Sequence, residues 1–218
     1  DWNEGNGYVR PGWTVMDLAK AGKWNPPPAG HHFLNSLWQY NSGVKSLFVW
    51  EGGTPWSNYS VQTDVILAPH RKRTPFSIPD GSAYVYGITA RVKDKDNHYR
   101  LVITRTSKGG EAQLIKRISG QDSVLKKTAV PPLVPFDYNT NPMCPVYHTY
   151  NEVQAKDRGL DQWRLDRIKL IVKGDTLKAV LNGKNLFPEG VQDKALDKGA
   201  PGLYAEGKFV FDNFYVNP

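Results

Sequence analysis

The stretch AYVYGITARVKDKDNHYRLVITR, residues 83–105, decides the fold of this chain. Both arms are rich in β-branched and aromatic residues, which suit a pleated, half-buried surface. Between them, Asp94-Lys95-Asp96-Asn97 is turn chemistry. Centring the turn on Lys95-Asp96 sets Val92 against Tyr99, Ala90 against Leu101 and Ile88 against Ile103. These six form one apolar face, because side chains alternate along a strand and meet across antiparallel pairs. The other face then pairs Lys93 with His98, Arg91 with Arg100 and Thr89 with Val102. Ser107-Lys108-Gly109-Gly110 makes a second turn. Centred on Lys108-Gly109, it brings Arg117 beside Arg100 and Gln113 beside Thr104, and points Lys116 at the core. The expected result is a row Arg91–Arg100–Arg117 across three strands, which a one-residue slip would break.

The same pattern of short strands and turns continues outward. Residues 46–50 are an apolar run, broken by Glu51-Gly52-Gly53-Thr54-Pro55. Along Tyr59–Leu67, Tyr59, Val61, Thr63 and Val65 share one side. Residues 113–118 and 123–128 flank Gly120; 163–173 and 177–181 flank Gly174-Asp175; 208–216 closes the chain. Helical periodicity is confined to 13–21, which is short and ends at Gly22. A long loop at about 130–160 interrupts the strands with Pro131, Pro132, Pro135, Pro142 and Pro145, a density that excludes a central strand. It is rich in Tyr and His, so it reads as a structured, functional loop. No composition shift or repeat divides the chain. The expectation is one all-β domain over 1–218, built as a two-sheet antiparallel sandwich.

The formal charge is +7, with seven Trp and eleven Tyr. A basic, aromatic surface suits an anionic polymer, although many secreted β-proteins are basic without one. The basic residues are spread along the chain, and no zinc, RRM or helix-turn-helix signature occurs, so no nucleic-acid partner is expected. No apolar run approaches the ~18 residues of a membrane span, so no membrane partner is expected either. The single cysteine, Cys144, excludes an intrachain disulfide and reads as a buried thiol. A start at Asp1 reads as a mature or trimmed form, and a secreted monomer is expected.

Three segments resemble concanavalin-like and laminin-G-like jelly-roll domains. They are Trp56-Ser-Asn-Tyr-Ser-Val-Gln-Thr-Asp-Val65, Asp96-Asn-His-Tyr-Arg-Leu-Val-Ile103 with Gln113-Leu-Ile-Lys-Arg117, and Gly202-Leu-Tyr204 with Phe211-Asp-Asn-Phe-Tyr-Val216. The resemblance covers most of 46–128 and 163–216. It implies a fold that serves lectins, carbohydrate-binding modules, adhesion modules, glycoside hydrolases and polysaccharide lyases. It also implies a structural calcium ion at Asp212; a hydrogen-bonded Asp212 is the competing reading. No cofactor is expected for catalysis.

Glycosidases need two carboxyl groups flanking the scissile bond. The six glutamates (4, 51, 111, 152, 189 and 206) include none with another acid at i, i+2 spacing on a strand. A lyase needs different groups: one to neutralise a uronate carboxylate, one to take the α-proton and one to protonate the leaving oxygen. Arg91 and Arg100 are candidates for the first role. His148 or Tyr150 is the candidate base, with a second Tyr or His as acid. His98, Gln113, Arg117, Tyr138 and Tyr147 are candidate substrate contacts. The competing readings are a salt-bridged outer face for the arginines and aromatic packing for the loop. His31, His32 and His70 are weaker candidates. The expectation is a polysaccharide lyase acting on an acidic, uronate-containing glycan. The alternatives are a non-catalytic carbohydrate-binding or lectin-like module, and an adhesion module for a protein partner.

Overall fold

The computed structural model describes residues 13–18, 24–25, 37–39, 44–50, 55–67, 83–106, 108–132, 164–207 and 209–218. Among them every regular element is a β-strand. In chain order these are β1 (Trp13–Asp17), β2 (Trp24–Asn25), β3 (Leu37–Gln39), β4 (Ser46–Trp50), β5 (Tyr59–Leu67), β6 (Tyr84–Asp94), β7 (Asn97–Thr106) and β8 (Gly109–Ile118). There follow β9 (Gln121–Val130), β10 (Arg164–Lys173), β11 (Thr176–Leu181), β12 (Lys184–Asn185), β13 (Val191–Gln192), β14 (Ala200–Glu206) and β15 (Phe209–Asn217). One seven-stranded sheet runs β1-β4-β14-β6-β7-β8-β9; the other runs β12-β11-β10-β5-β15-β3-β2, with β13 on β11.

The pairings are antiparallel, and the two sheets enclose one core. Tyr86, Ile88 and Ala90 of β6 and Tyr99, Leu101 and Ile103 of β7 project into it. They meet Val61 and Val65 of β5, Ile168, Leu170 and Val172 of β10, and Phe209 and Phe211 of β15. Burying a large apolar side chain contributes roughly 1.5–3 kcal/mol. These alternating rows are therefore what holds the sheets together.

Residues 13–17 are an edge strand and not the start of a helix. Trp13 stacks on Phe48 with ring centroids 4.5 Å apart, and the segment pairs in register with β4. Trp, Thr and Val suit a strand, and packing overrides a weak helical period.

The central hairpin turns where expected, with Asp94 opposite Asn97, but its register differs beyond the turn. Ala90 faces Tyr99 and Ile88 faces Leu101, a shift of two residues. A bulge between Ala90 and Asp94 absorbs the difference, and Arg91 sits in it with φ 49°. Bulges bend a strand and re-aim its side chains. Val92 leaves the core face and joins Leu47, Val49, Val102, Ile115 and Tyr204 on the outer side of the seven-stranded sheet. The second turn is also displaced by two: Arg117 lies opposite His98 and Gln113 opposite Val102. An even shift preserves faces, so His98, Arg100, Gln113 and Arg117 still share one side.

Candidate functional site on the outer face of the seven-stranded sheet

The polar end of that outer face is built by five neighbouring strands. Thr89 of β6 lies directly opposite Arg100 of β7. His98, two residues earlier and therefore on the same side, lies opposite Arg117 of β8, which in turn lies opposite Asp122 of β9. Tyr204 of β14 completes the set, with the Arg100 guanidinium 5.2 Å from its ring centre. That distance is a cation–π contact.

Asp122 organises the cations. Arg100 grips both of its oxygens, at 3.1 and 2.7 Å, and Arg117 donates to Oδ1 at 3.0 Å. Arg117 also lies 3.6 Å from Asp96. Burial works against the Asp122 charge, but the two guanidiniums hold its carboxyl below the ordinary range. The cationic row expected from the sequence is thus smaller and neutralised. Two arginines face two carboxylates, as like charges crowded on a sheet require.

His98 is fully buried and accepts from Arg100 Nη1 at 3.1 Å through Nε2. Arginine is always a donor, so the imidazole proton belongs on Nδ1. Burial first, then the Arg100 charge, pushes the His98 pKa down to about 4. The ring is therefore neutral at physiological pH and is not a third cation. An interaction with the Asp94 main chain opposes this shift without cancelling it.

Four buried side-chain atoms lack a hydrogen-bond partner among the described residues: Thr89 Oγ1, His98 Nδ1, Arg100 Nε and Arg117 Nε. All four belong to this one patch. A buried polar group without a partner costs about 1–3 kcal/mol, so such groups rarely cluster by accident. Each has under 1 Å² of exposed surface, so they lie beneath the face and not on it.

Toward β9 the face continues with Gln113, whose side chain donates to Glu111, and with Lys127, 3.2 Å from Glu111. Lys116 does point inward, as expected. It ends on Asp193 at 2.6 Å, and Tyr99 donates to the same carboxylate.

Arg91 is not on this face. The bulge turns it into the end of the sandwich, where it is 2% exposed. Its guanidinium donates to the main-chain oxygens of Ser57, Gly174 and Leu196. The sequence predicted a face from alternation alone, and the bulge suspends alternation at this residue. Tyr138, Tyr147, His148, Tyr150, Cys144, His31, His32 and His70 lie outside the described residues.

Asp212 sits on the opposite sheet, buried and directly across from Asp64. Arg167 grips both Asp64 oxygens at 2.7 Å, and Asn213 adds a donor at 2.8 Å. Calcium takes six to eight oxygens. Here one of the two carboxylates is already capped, and no cluster of three His, Cys, Asp or Glu side chains occurs among the described residues. This donor set does not fit the ion. Burial, with the Asp64 charge, instead raises the Asp212 pKa above the ordinary value. A raised folded pKa stabilises the fold only in acid, and that contribution is lost as pH rises through it. Asp212→Asn is therefore expected to raise stability at pH 7 by up to about 1 kcal/mol, with the gain shrinking toward pH 4. Urea midpoints at the two pH values, with and without EDTA, check this. A chelator-sensitive wild type with a weakened variant would restore the calcium reading.

The comparisons with known proteins speak to the fold. No family model matches the chain, and no curated protein matches its sequence. Among solved structures, the carbohydrate binding module CBM66 from Bacillus subtilis superposes with a TM-score of 0.59 at 16% identity, over 95% of this chain and 96% of that one. A GH43 protein, BlXynB, from Bacillus licheniformis gives 0.57 at 12% identity, over 100% of this chain but 38% of its own. A Bacillus subtilis protein of unknown function with a galectin-like fold gives 0.51 at 13% identity, over 94% of this chain and 88% of that one. The chain therefore has the two-sheet jelly-roll fold of the concanavalin-like and laminin-G-like kind that its sequence resembled, with no specific family shown.

Proposed function

We propose that the chain is a carbohydrate-binding module that holds its ligand at the polar end of the outer face of the seven-stranded sheet. The observation that carries this reading is the Asp122 carboxylate, 43% exposed at this end of the face and gripped by Arg100 and Arg117. A site that recognises hydroxyl groups needs acceptors held by their own neighbours, and Arg100 and Arg117 hold Asp122. The likeness in fold to a structure described as a carbohydrate binding module supports the same reading. The lyase expected from the sequence has less support. Arg91 is committed to main-chain carbonyls, and the neutral, enclosed His98 is a poor source of charge.

Affinity electrophoresis through gels containing different polysaccharides tests the proposal. Wild type is expected to be retarded by at least one glycan. Arg117→Ala, with an unchanged thermal midpoint, should lose most of that retardation. Absorbance in the band of unsaturated uronates should stay flat. Rising absorbance on any substrate would bring the lyase back, and retardation indifferent to Arg117→Ala would move the site elsewhere.

A further inference from the structure

We infer that the opposite, eight-stranded sheet carries a second glycan site, in which Tyr215 stacks on the C–H face of a sugar ring. This site stands on its own residues and does not depend on the one at Asp122. Tyr215 is 61% exposed, and with Val124 it is one of two large hydrophobic side chains left open among the described residues. A bulge holds it there. Asp212 lies opposite Asp64 but Tyr215 lies opposite Gln62, so β15 carries one extra residue between them. Asn213 sits in the bulge with φ 50°, a conformation that Asn tolerates better than most residues. Its main chain donates to Asp212 and its side chain to Asp64, both at 2.8 Å. Strict alternation from Phe211 would turn Tyr215 into the core. With the extra residue, Phe214 and Val216 pack against the core instead, and Tyr215 faces out. Re-aiming a side chain in this way is a known use of bulges.

The neighbours on that face suit a sugar. Gln62 lies directly opposite Tyr215, and Lys169 directly opposite Gln62. The three form a row about 10 Å long across β15, β5 and β10, given the usual spacing of strands. Gln62 and Lys169 are half-buried, and none of the three side chains has a hydrogen-bond or ion-pair partner among the described residues. A phenol ring is negative on its face and draws the C–H hydrogens of a pyranose. The amide beside it both donates to and accepts from hydroxyls at the sugar's rim, and Lys169 adds a donor at the far end. A protein partner fits this patch less well. One ring among polar groups falls far short of the roughly 800 Å² a side that a stable protein interface buries.

Turbidity with a soluble polysaccharide is the first test, because sites on opposite faces of one molecule cross-link a polymer and a single site does not. On a panel of xylan, β-glucan and mannan, wild type is expected to cloud at least one. Tyr215→Ala and Arg117→Ala are each expected to stay clear, with unchanged thermal midpoints. In affinity gels, adding Tyr215→Ala to Arg117→Ala should weaken the remaining retardation at least about tenfold, as loss of a tyrosine anchor does. Tyr215→Phe should retain it, since the face of the ring and not its hydroxyl makes the contact. Gln62→Ala should weaken it by about threefold to tenfold. Retardation of the Arg117→Ala protein that Tyr215→Ala leaves unchanged would overturn the inference while leaving the Asp122 site in place. Self-association seen by sedimentation and abolished by Tyr215→Ala, with that retardation intact, would overturn it in favour of a contact between copies. Retardation lost with Tyr215→Ala but untouched by Arg117→Ala would support it and remove the Asp122 reading. No retardation of wild type by any glycan of the panel would overturn both.

Discussion

Asp166→Ala is expected to cost about 3–5 kcal/mol, the usual loss when one partner of a buried ion pair is removed. Asp166 on β10 and Arg105 on β7 are 2% and 3% exposed and meet between the two sheets. Arg105 donates Nε and Nη2 to the two carboxylate oxygens at 2.8 and 2.6 Å. Asn182 donates to Oδ1 at 2.7 Å, and the Tyr86 hydroxyl donates to Oδ2. Four donors thus converge on one carboxylate. Without it, a guanidinium is left buried with only the Pro131 and Pro132 carbonyls, and Tyr86 and Asn182 each lose an acceptor. Arg105 also borders an open pocket of about 250 Å³ lined by Val130, Leu181 and Leu186. For a chain of this size the thermal midpoint should fall by roughly 6–20 °C. Replacing both partners with apolar residues should cost less than either single change, because no unpaired charge then remains. Urea unfolding of the single and double variants measures both. A single-variant loss below about 1 kcal/mol would mean that the pair is solvated in solution.

Arg91→Ala is expected to cost about 3 kcal/mol while leaving glycan binding per folded molecule unchanged. Four hydrogen bonds join its guanidinium to Ser57 (3.1 and 2.7 Å), Leu196 (2.7 Å) and Gly174 (2.6 Å). These carbonyls lie before β5, after β13 and between β10 and β11, so one side chain ties three connections at one end of the sandwich. The Arg91 N–H also donates to the Tyr59 hydroxyl at 2.6 Å. Gly199 packs so closely here that an added Cβ would sit 2.4 Å from the Arg91 carbonyl carbon. Hydrogen bonds to a charged group contribute about 1.5–3 kcal/mol each, and those at the exposed Ser57 and Gly174 would be partly replaced by water. Arg91→Lys should recover little, since an ammonium lacks the planar fork that spans three acceptors. The informative readout is the pair of measurements together. A variant of normal stability that has lost glycan binding would return Arg91 to the ligand site.

Reading the outer face from the sequence worked for a specific reason. His98, Arg100, Gln113 and Arg117 lie on adjacent strands of uninterrupted period two, and the turns misplaced their partners by an even number of residues. Pairings such as Arg100 with Arg117 were therefore wrong while the shared face was right. Arg91 failed for the complementary reason. Nothing in Ala90-Arg91-Val92-Lys93 announces a bulge, because Arg is not a residue chosen for positive φ. Asp122 was missed as a site residue because β9 reads as an ordinary polar edge strand until β8 is laid beside it. Asp166 carried no signal at all: an acid in a strand looks solvent-facing until its inward neighbours are known.

Local information alone therefore determined that this chain makes many short antiparallel strands, where most of them turn, and which residues of β5, β7, β8 and the part of β6 before its bulge look inward, since period-two alternation and turn chemistry act over a few residues. Tertiary structure alone decided which charges meet. The neutralisation of Arg100 and Arg117 by Asp122, the burial of Arg105 on Asp166 and the capture of Arg91 by three carbonyls all depend on strand register and sheet stacking. A bulge alters these by a residue or two without leaving a mark in the composition, and electrostatic interactions change sign of effect over that distance.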